Sequence, residues 1–483
     1  MYYILEKRYL LRGWDRLPYA VVDGRNGATQ FLSKQDFDTL AACDGSIDFS
    51  LPVIPSYMRG SLEGLRQAGF IRECQRGEAL DERQVYRRYP NRFMAAAQWS
   101  ITGGCNCRCK HCFMSAPDAK HGELSHEDVM TIARELSCAG VMKVAITGGE
   151  PLIRRDFWDI VDALREGGVV VTDLSTNGLL VDERLLSKFE ERDLRPTIAL
   201  SFDGLGFHDW LRGVVGAEKA VRRAFELCRD RGFATSAAMC LWQDNVCALD
   251  ESIDYLASVG CASLKVQHVN ELGAWSESGH AKSRGLSQRE TVEAILSYLP
   301  DFYHKLPAIR LDLGGLFSAD GRRPDEYRLP FVNTCDSLEN VCLCTTARTN
   351  MYISAEGRPA FCMGVGDLDD SQNAYPTIME TGMGACLADS AYMQLNDIRV
   401  SAVISHNERC TACRHRLLCL GGCRAYGIMS HPGDILGVDE EACALFSEGW
   451  AARVVEEVRR LRPSARCAEL EWLRERGREG ELM

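Results

Sequence analysis

Between residues 95 and 315, short apolar runs alternate with amphipathic stretches. The runs are AAAQWSIT (95–102), VMKVAIT (141–147), VVVTDLST (169–176), TIALSF (197–202), ATSAAMC (234–240) and SLKVQHV (263–269). Each ends in, or just before, small polar residues, and helical patterns such as SHEDVMTIARELSCAG and AEKAVRRAFELCRDRG lie between them. Repeated strand–helix units imply a parallel sheet. Their number and spacing predict an α/β chain built on a partial (β/α)6 TIM barrel over 95–315. Functional residues of such barrels gather at the C-terminal ends of the strands. GLSQRETVEAILSYLPDFYHKL (285–306) is the last predicted helix of this run.

The pattern differs on either side. Residues 1–78 begin with strand-like alternation (YYILEKRYLLRG, YAVVDGRNG, TQFLS). Ser33 then caps a helix over KQDFDTLAAC, and SYMRGSLEGLRQAGFIREC reads as a second helix and a return strand. This order predicts a winged-helix-like module. The polar stretch 79–94 reads as a linker. From 335 to 446 periodicity fades and cysteines crowd in, which predicts a loop-dominated domain stapled by metal. Residues 447–483 read as an amphipathic helix and a frayed tail.

Composition narrows the class. The 483 residues are 46% hydrophobic and 26% charged, with a net charge of −12. That disfavours nucleic acid or an anionic membrane as partner. No apolar run reaches the length of a membrane span, and MYYILEKRYLLRGWDRLPY lacks the form of a signal peptide. A cytoplasmic, reducing location is therefore expected. There the 22 cysteines point to metal binding more than to disulfides.

GGCNCRCKHCF (103–113) holds Cys105, Cys107, Cys109 and Cys112 just after the first strand. Cys105, Cys109 and Cys112 give C-x3-C-x2-C. Three thiolates would hold three irons of a four-iron cluster and leave the fourth open. A structural zinc site would want four closed ligands, usually in C-x2-C pairs. The pattern resembles the radical S-adenosylmethionine (SAM) enzymes, and CNCRCKHCF is similar to the form found in their peptide-modifying members. Cys107 falls where that family carries an apolar residue, so it reads as a small buried hydrophobe.

The resemblance assigns TGGEP (147–151), at the end of the second strand, to the SAM amino group, through Gly148, Gly149, Glu150 and Pro151. Glu150 offers a carboxylate to an ammonium. STNG (175–178) and SFDG (201–204) resemble segments lining the SAM pocket, with Ser175, Asn177 and Ser201 as candidates. His268, ending the sixth strand, reads as a structural histidine.

Cys344-x12-Gly357-x4-Cys362, then Cys410-x2-Cys413-x5-Cys419-x3-Cys423, then Cys443, resembles the SPASM extension of these enzymes. The resemblance implies two auxiliary clusters. Cys344, Cys362, Cys423 and an upstream thiol, Cys342 or Cys335 with Cys342 favoured, would hold one. Cys410, Cys413, Cys419 and Cys443 would hold the other. With the SAM-binding cluster this makes three 4Fe-4S clusters.

The implied activity is that of an oxidoreductase. SAM is cleaved reductively to a 5′-deoxyadenosyl radical, which takes a hydrogen atom from substrate. Residues 1–78 resemble the recognition element of maturases of ribosomally made peptides, which binds a leader peptide by strand addition. The expected product is a peptide carrying a thioether or carbon–carbon crosslink, or an epimerised or oxidised residue. The expected partners are a precursor peptide and an electron donor such as a flavodoxin or ferredoxin. Two other readings stay open. A sulfatase-type oxidase would carry an acid after the second SPASM cysteine, where this chain has Met363. A non-catalytic iron–sulfur scaffold would need no TGGEP.

Overall fold

The computed structural model describes every residue except 115, 117–121, 272, 339–340, 345, 367–374, 389 and 483. The N-terminal module follows the expected order: β1 (Tyr2–Leu5), β2 (Tyr9–Trp14), β3 (Ala20–Asp23), β4 (Thr29–Phe31), α1 (Lys34–Ala42), α2 (Ser56–Gln67) and β5 (Ile71–Cys74). Ser33 caps α1, its hydroxyl accepting the Asp36 N–H. The return strand β5 pairs antiparallel with β1.

Residues 79–94 are not a free linker. Asp81 and Gln84 form a capping box. The Gln84 amide, 3% exposed, donates to the carbonyls of Leu5, Glu6 and Tyr9. β6 (Arg87–Tyr89) then adds beside β2 to complete a sheet of order β4-β3-β2-β6. A charged segment can do this because β6 is an edge strand, whose side chains stay wet while its backbone pairs. Trp14 is fully buried against Ala95, Met142, Tyr89 and Phe93, and its indole N–H donates to Gly140 O at 3.2 Å. The module is thereby seated on the barrel.

The barrel strands are β7 (Ala96–Ser100), β8 (Lys143–Thr147), β9 (Val170–Thr176), β10 (Thr197–Ser201), β11 (Thr235–Leu241) and β12 (Ser263–His268). Between them run α3 (His126–Cys138), α4 (Phe157–Glu166), α5 (Glu183–Glu190), α6 (His208–Arg212), α7 (Ala217–Asp230) and α8 (Leu249–Ser258). The helix Gln288–Lys305 follows, close to the predicted span, and opens with a Ser287–Glu290 capping box. One face of each strand packs under the helices through residues such as Ile146, Leu174, Ile198, Leu200 and Val266. The other face carries Gln98, Ser175, Ser201, Cys240 and Lys265, which are half-buried or exposed.

The sheet extends past the predicted six strands. β13 (Arg310–Leu313) pairs parallel with β12, and β14 (Phe317–Asp320) and β15 (Glu326–Arg328) continue it antiparallel. On the other edge, β16 (Asn350–Ile353) pairs parallel with β7, and β17 (Pro359–Ala360) pairs with β16. The C-terminal region thus contributes a strand to the barrel sheet. The rest of it is short helices more than loops, such as Ala391–Asp397, Val400–His406 and Arg424–Ser430. Helices of two turns carry too few positions to reveal a 3.6-residue period.

The tail is packed. β18 (Arg466–Cys467) joins β15, and the helix Ala468–Glu475 follows. Leu482 is 2% exposed, and the Arg478 guanidinium donates to Cys335 O at 2.9 Å. The charges of RERGREG, which suggest fraying, are spent on ion pairs such as Arg478–Glu481 and Arg474–Glu479.

Candidate functional site

The loop after β7 carries Cys105, Cys109 and Cys112 half-buried, while Cys107 is 1% exposed. All four are free thiols. Cys107 is buried as expected, and its backbone N–H donates to Cys105 Sγ at 3.3 Å. The neighbouring Cys107 thiol, with the Arg212 guanidinium, favours the thiolate of Cys109 against the effect of burial. Burial pushes Cys112 up to about 11. Three soft sulfur donors gathered on one short loop suit an iron–sulfur cluster with one open iron.

The TGGEP glycines hold this loop. Gly149 N–H donates to Thr102 O and Glu150 N–H to Gly104 O, both at 2.9 Å. A Cβ on Gly148 would lie 2.6 Å from Thr102 O, and one on Gly149 would lie 2.1 Å from Gly104 O. The glycines therefore admit the cysteine loop's backbone.

Glu150 belongs to the same junction. Its side chain is fully buried. Its oxygens accept the Asn177 N–H at 2.8 Å, the Thr176 hydroxyl at 2.8 Å and the Leu152 N–H at 3.2 Å. The carboxyl ties β8 to the end of β9. Burial pushes its pKa up to about 7 in spite of these bonds. Pro151 starts the 3-10 turn Pro151–Ile153 that follows.

Asn177 also faces the loop, its amide donating to Asn106 Oδ1 at 2.6 Å and lying 4.0 Å from Cys105 Sγ. Ser175 on β9 and Ser201 on β10 are half-buried on the open face. Neither hydroxyl has a partner among the described residues. His268 pairs with Glu441 at 3.4 Å, a structural contact to the C-terminal region.

Asp203, His208 and Arg212 escaped the sequence reading. Asp203 and His208 are fully buried, and Arg212 Nε donates to Asp203 Oδ2 at 2.6 Å. Burial alone would raise the Asp203 carboxyl; the Arg212 guanidinium outweighs it and holds the carboxyl well below the usual carboxylate range. Asp203 lies in the SFDG segment, but nothing in its spacing announces the partner nine residues on.

The C-terminal cysteines fall into two spatial groups. Cys410, Cys413, Cys419 and Cys443 line one cavity. Cys362 lies close enough to both Cys344 and Cys423 for their charges to interact. Four thiols around one cavity have the donor chemistry of a closed cluster site. Cys342 Sγ accepts from the Arg348 and Arg399 guanidiniums at 2.6 and 2.9 Å, which would offset negative charge on that sulfur. Cys335 Sγ faces Leu417 O at 3.7 Å.

Among the described residues no helix is long and apolar enough to cross a membrane. Residues 99–256 match the family model of the radical SAM superfamily. The Fe-coproporphyrin III synthase of Methanosarcina barkeri is 27% identical over 209 residues, covering 43% of this chain and 52% of that protein. The mycofactocin maturase MftC of Mycobacterium tuberculosis is 32% identical over 178 residues, covering 36% and 44%. The chain thus spans about half the length of these curated relatives. The fold is similar to Streptococcus suis SuiB bound to its precursor peptide SuiA. The TM-score is 0.64 at 14% identity, covering 91% of this chain and 99% of that one.

Proposed function

We propose that this chain, whose residues 99–256 form a radical SAM domain, is a peptide maturase. The observation that carries the reading is the seating of the Cys105–Cys112 loop on Gly148 and Gly149, beside an open barrel face. The likeness to a mycofactocin maturase and to a structure holding a precursor peptide supports a peptide as the substrate.

When bound, a cluster and SAM together supply a carbon radical able to take a hydrogen atom from substrate. The chain's residues do the rest. Cys105, Cys109 and Cys112 would hold the cluster, and three thiolates would leave one iron open to SAM. Ser175 and Ser201 orient SAM with their free hydroxyls, and Glu150 fixes the segment from Thr176 to Gly178. The barrel wall excludes water from the reacting atoms. Two auxiliary clusters would be held by Cys344, Cys362, Cys423 and Cys342, and by Cys410, Cys413, Cys419 and Cys443. The module before residue 79 would hold the leader peptide at a sheet edge, β4 being exposed. A flavodoxin or ferredoxin in the cytoplasm would supply electrons. Met363, which receives the Gln98 amide on its sulfur at 3.6 Å, offers no acid for a sulfatase-type oxidation.

The test is anaerobic incubation with SAM and a strong reductant, measuring 5′-deoxyadenosine. Wild type is expected to release it and Cys109→Ala is not. Iron-replete wild type that releases none, with or without candidate peptides, would favour the scaffold reading. Zinc in place of iron would overturn the proposal.

A further inference from the structure

The cysteine loop is gripped from a second side by α6. The Arg108 N–H donates to Arg212 O at 3.1 Å, and the Lys110 N–H to Leu211 O at 2.8 Å. The amides on either side of Cys109 are thus fixed by the last turn of one short helix. Gly213 ends that helix with φ +66, so close to the loop that a Cβ there would lie 2.4 Å from Arg108 O.

From this turn the Arg212 side chain, 11% exposed, reaches inward. Its NH1 donates to Cys109 Sγ at 3.8 Å and its Nε to Asp203 Oδ2 at 2.6 Å. Asp203 is itself fixed, its Oδ1 accepting the Cys240 N–H at 3.1 Å. A buried guanidinium without an anion would be strongly unfavourable. Asp203 therefore keeps a cation in a place it would otherwise leave. His111, Asp203 and Cys240 each bring a ligand atom within 4.8 Å of the others. The Arg212 cation already occupies the carboxylate, so the group reads as an ion pair and not as a further metal site. Cys105, by contrast, receives only neutral donors among the described residues, the Cys107 N–H and the Asn177 amide.

We propose that Arg212, held by Asp203, is a positioning residue that sets the reduction potential of the cluster ligated by Cys109. The inference rests on the reading of Cys105, Cys109 and Cys112 as cluster ligands. A reduced cluster is more negative than an oxidised one, so a cationic donor on a ligand sulfur favours reduction and raises the potential. A buried position strengthens the effect, because little water screens the charge.

Anaerobically reconstituted wild type, Arg212→Gln and Arg212→Lys are titrated with dithionite and followed by electron paramagnetic resonance. The component read is the one whose signal changes on adding SAM. Arg212→Gln is expected to need a lower potential for half-reduction, with iron content and the SAM-insensitive signals unchanged. Arg212→Lys is expected to fall between it and wild type, since an ammonium keeps the charge but not the fork that bridges carboxylate and sulfur. An unchanged midpoint in iron-replete Arg212→Gln overturns the proposal, as does loss of iron from both variants. Wild type with no SAM-responsive signal would instead sink the cluster reading beneath it.

Discussion

Glu150 accepts the backbone N–H of Asn177 at 2.8 Å from a fully buried position, joining the ends of two neighbouring barrel strands. The bond makes one carboxylate responsible for the shape of two segments that face the cysteine loop. Glutamine at 150 would place an NH2 group where one oxygen now accepts an N–H or O–H. Leaving such a donor buried without an acceptor costs about 1–3 kcal/mol. Glu150→Gln is expected to lower stability by that amount in denaturant unfolding, and to weaken SAM binding in equilibrium titration.

The same residue predicts a pH dependence. Its folded pKa is about 7, raised by burial from 4.5. The folded state therefore holds the proton more tightly than the unfolded state. Glu150 favours folding most below pH 4.5 and loses that contribution as pH rises to about 7. The stability of wild type relative to Glu150→Gln is expected to fall across this window. Urea unfolding at a series of pH values checks the sign, and a rise would refute it.

Gly149 is the point of closest approach between TGGEP and the cysteine loop. A methyl group there would lie 2.1 Å from Gly104 O, a backbone atom that cannot rotate away. Gly149→Ala is expected to displace the loop and lower the iron bound at Cys105, Cys109 and Cys112. Far-ultraviolet circular dichroism should stay that of wild type, because the clash is local.

Cys107 and Cys109 should separate cleanly. Cys109→Ala is expected to lose about four irons per chain, one cluster's worth. Cys107→Ala keeps all three proposed ligands and should retain that iron. Iron and sulfide analysis after anaerobic reconstitution decides it. Equal loss in both variants would make Cys107 a ligand.

Trp14 tests the seating of the N-terminal module. Removing a fully buried tryptophan typically costs about 3–5 kcal/mol. Trp14→Ala also deletes the bond to Gly140 O. The expected outcome is faster proteolysis near residues 79–94, with the barrel core still protected. Unchanged cleavage would show that the module is held by other contacts.

The six barrel strands were legible because their apolar runs are local and each is followed by a helical period. The start of α1 was legible too, since Ser33 caps through a bond three residues long. β6, β13 and β16 were not. β16 pairs with β7 across more than 250 residues of chain, and a four-residue strand carries no period of its own to announce that.

The sequence by itself determined the donor chemistry: which cysteines share a loop, how far apart they stand, and which glycines precede Glu150. Spacing along a chain is covalent, so no fold is needed to read it. Only the tertiary structure decided what those residues touch. It gave the glycines a backbone to admit, set the Glu150 carboxylate on Asn177, and placed Arg212 between Asp203 and Cys109. Each of these pairings joins residues from different elements of the barrel, and a buried charge is tolerated only where folding has brought it a partner.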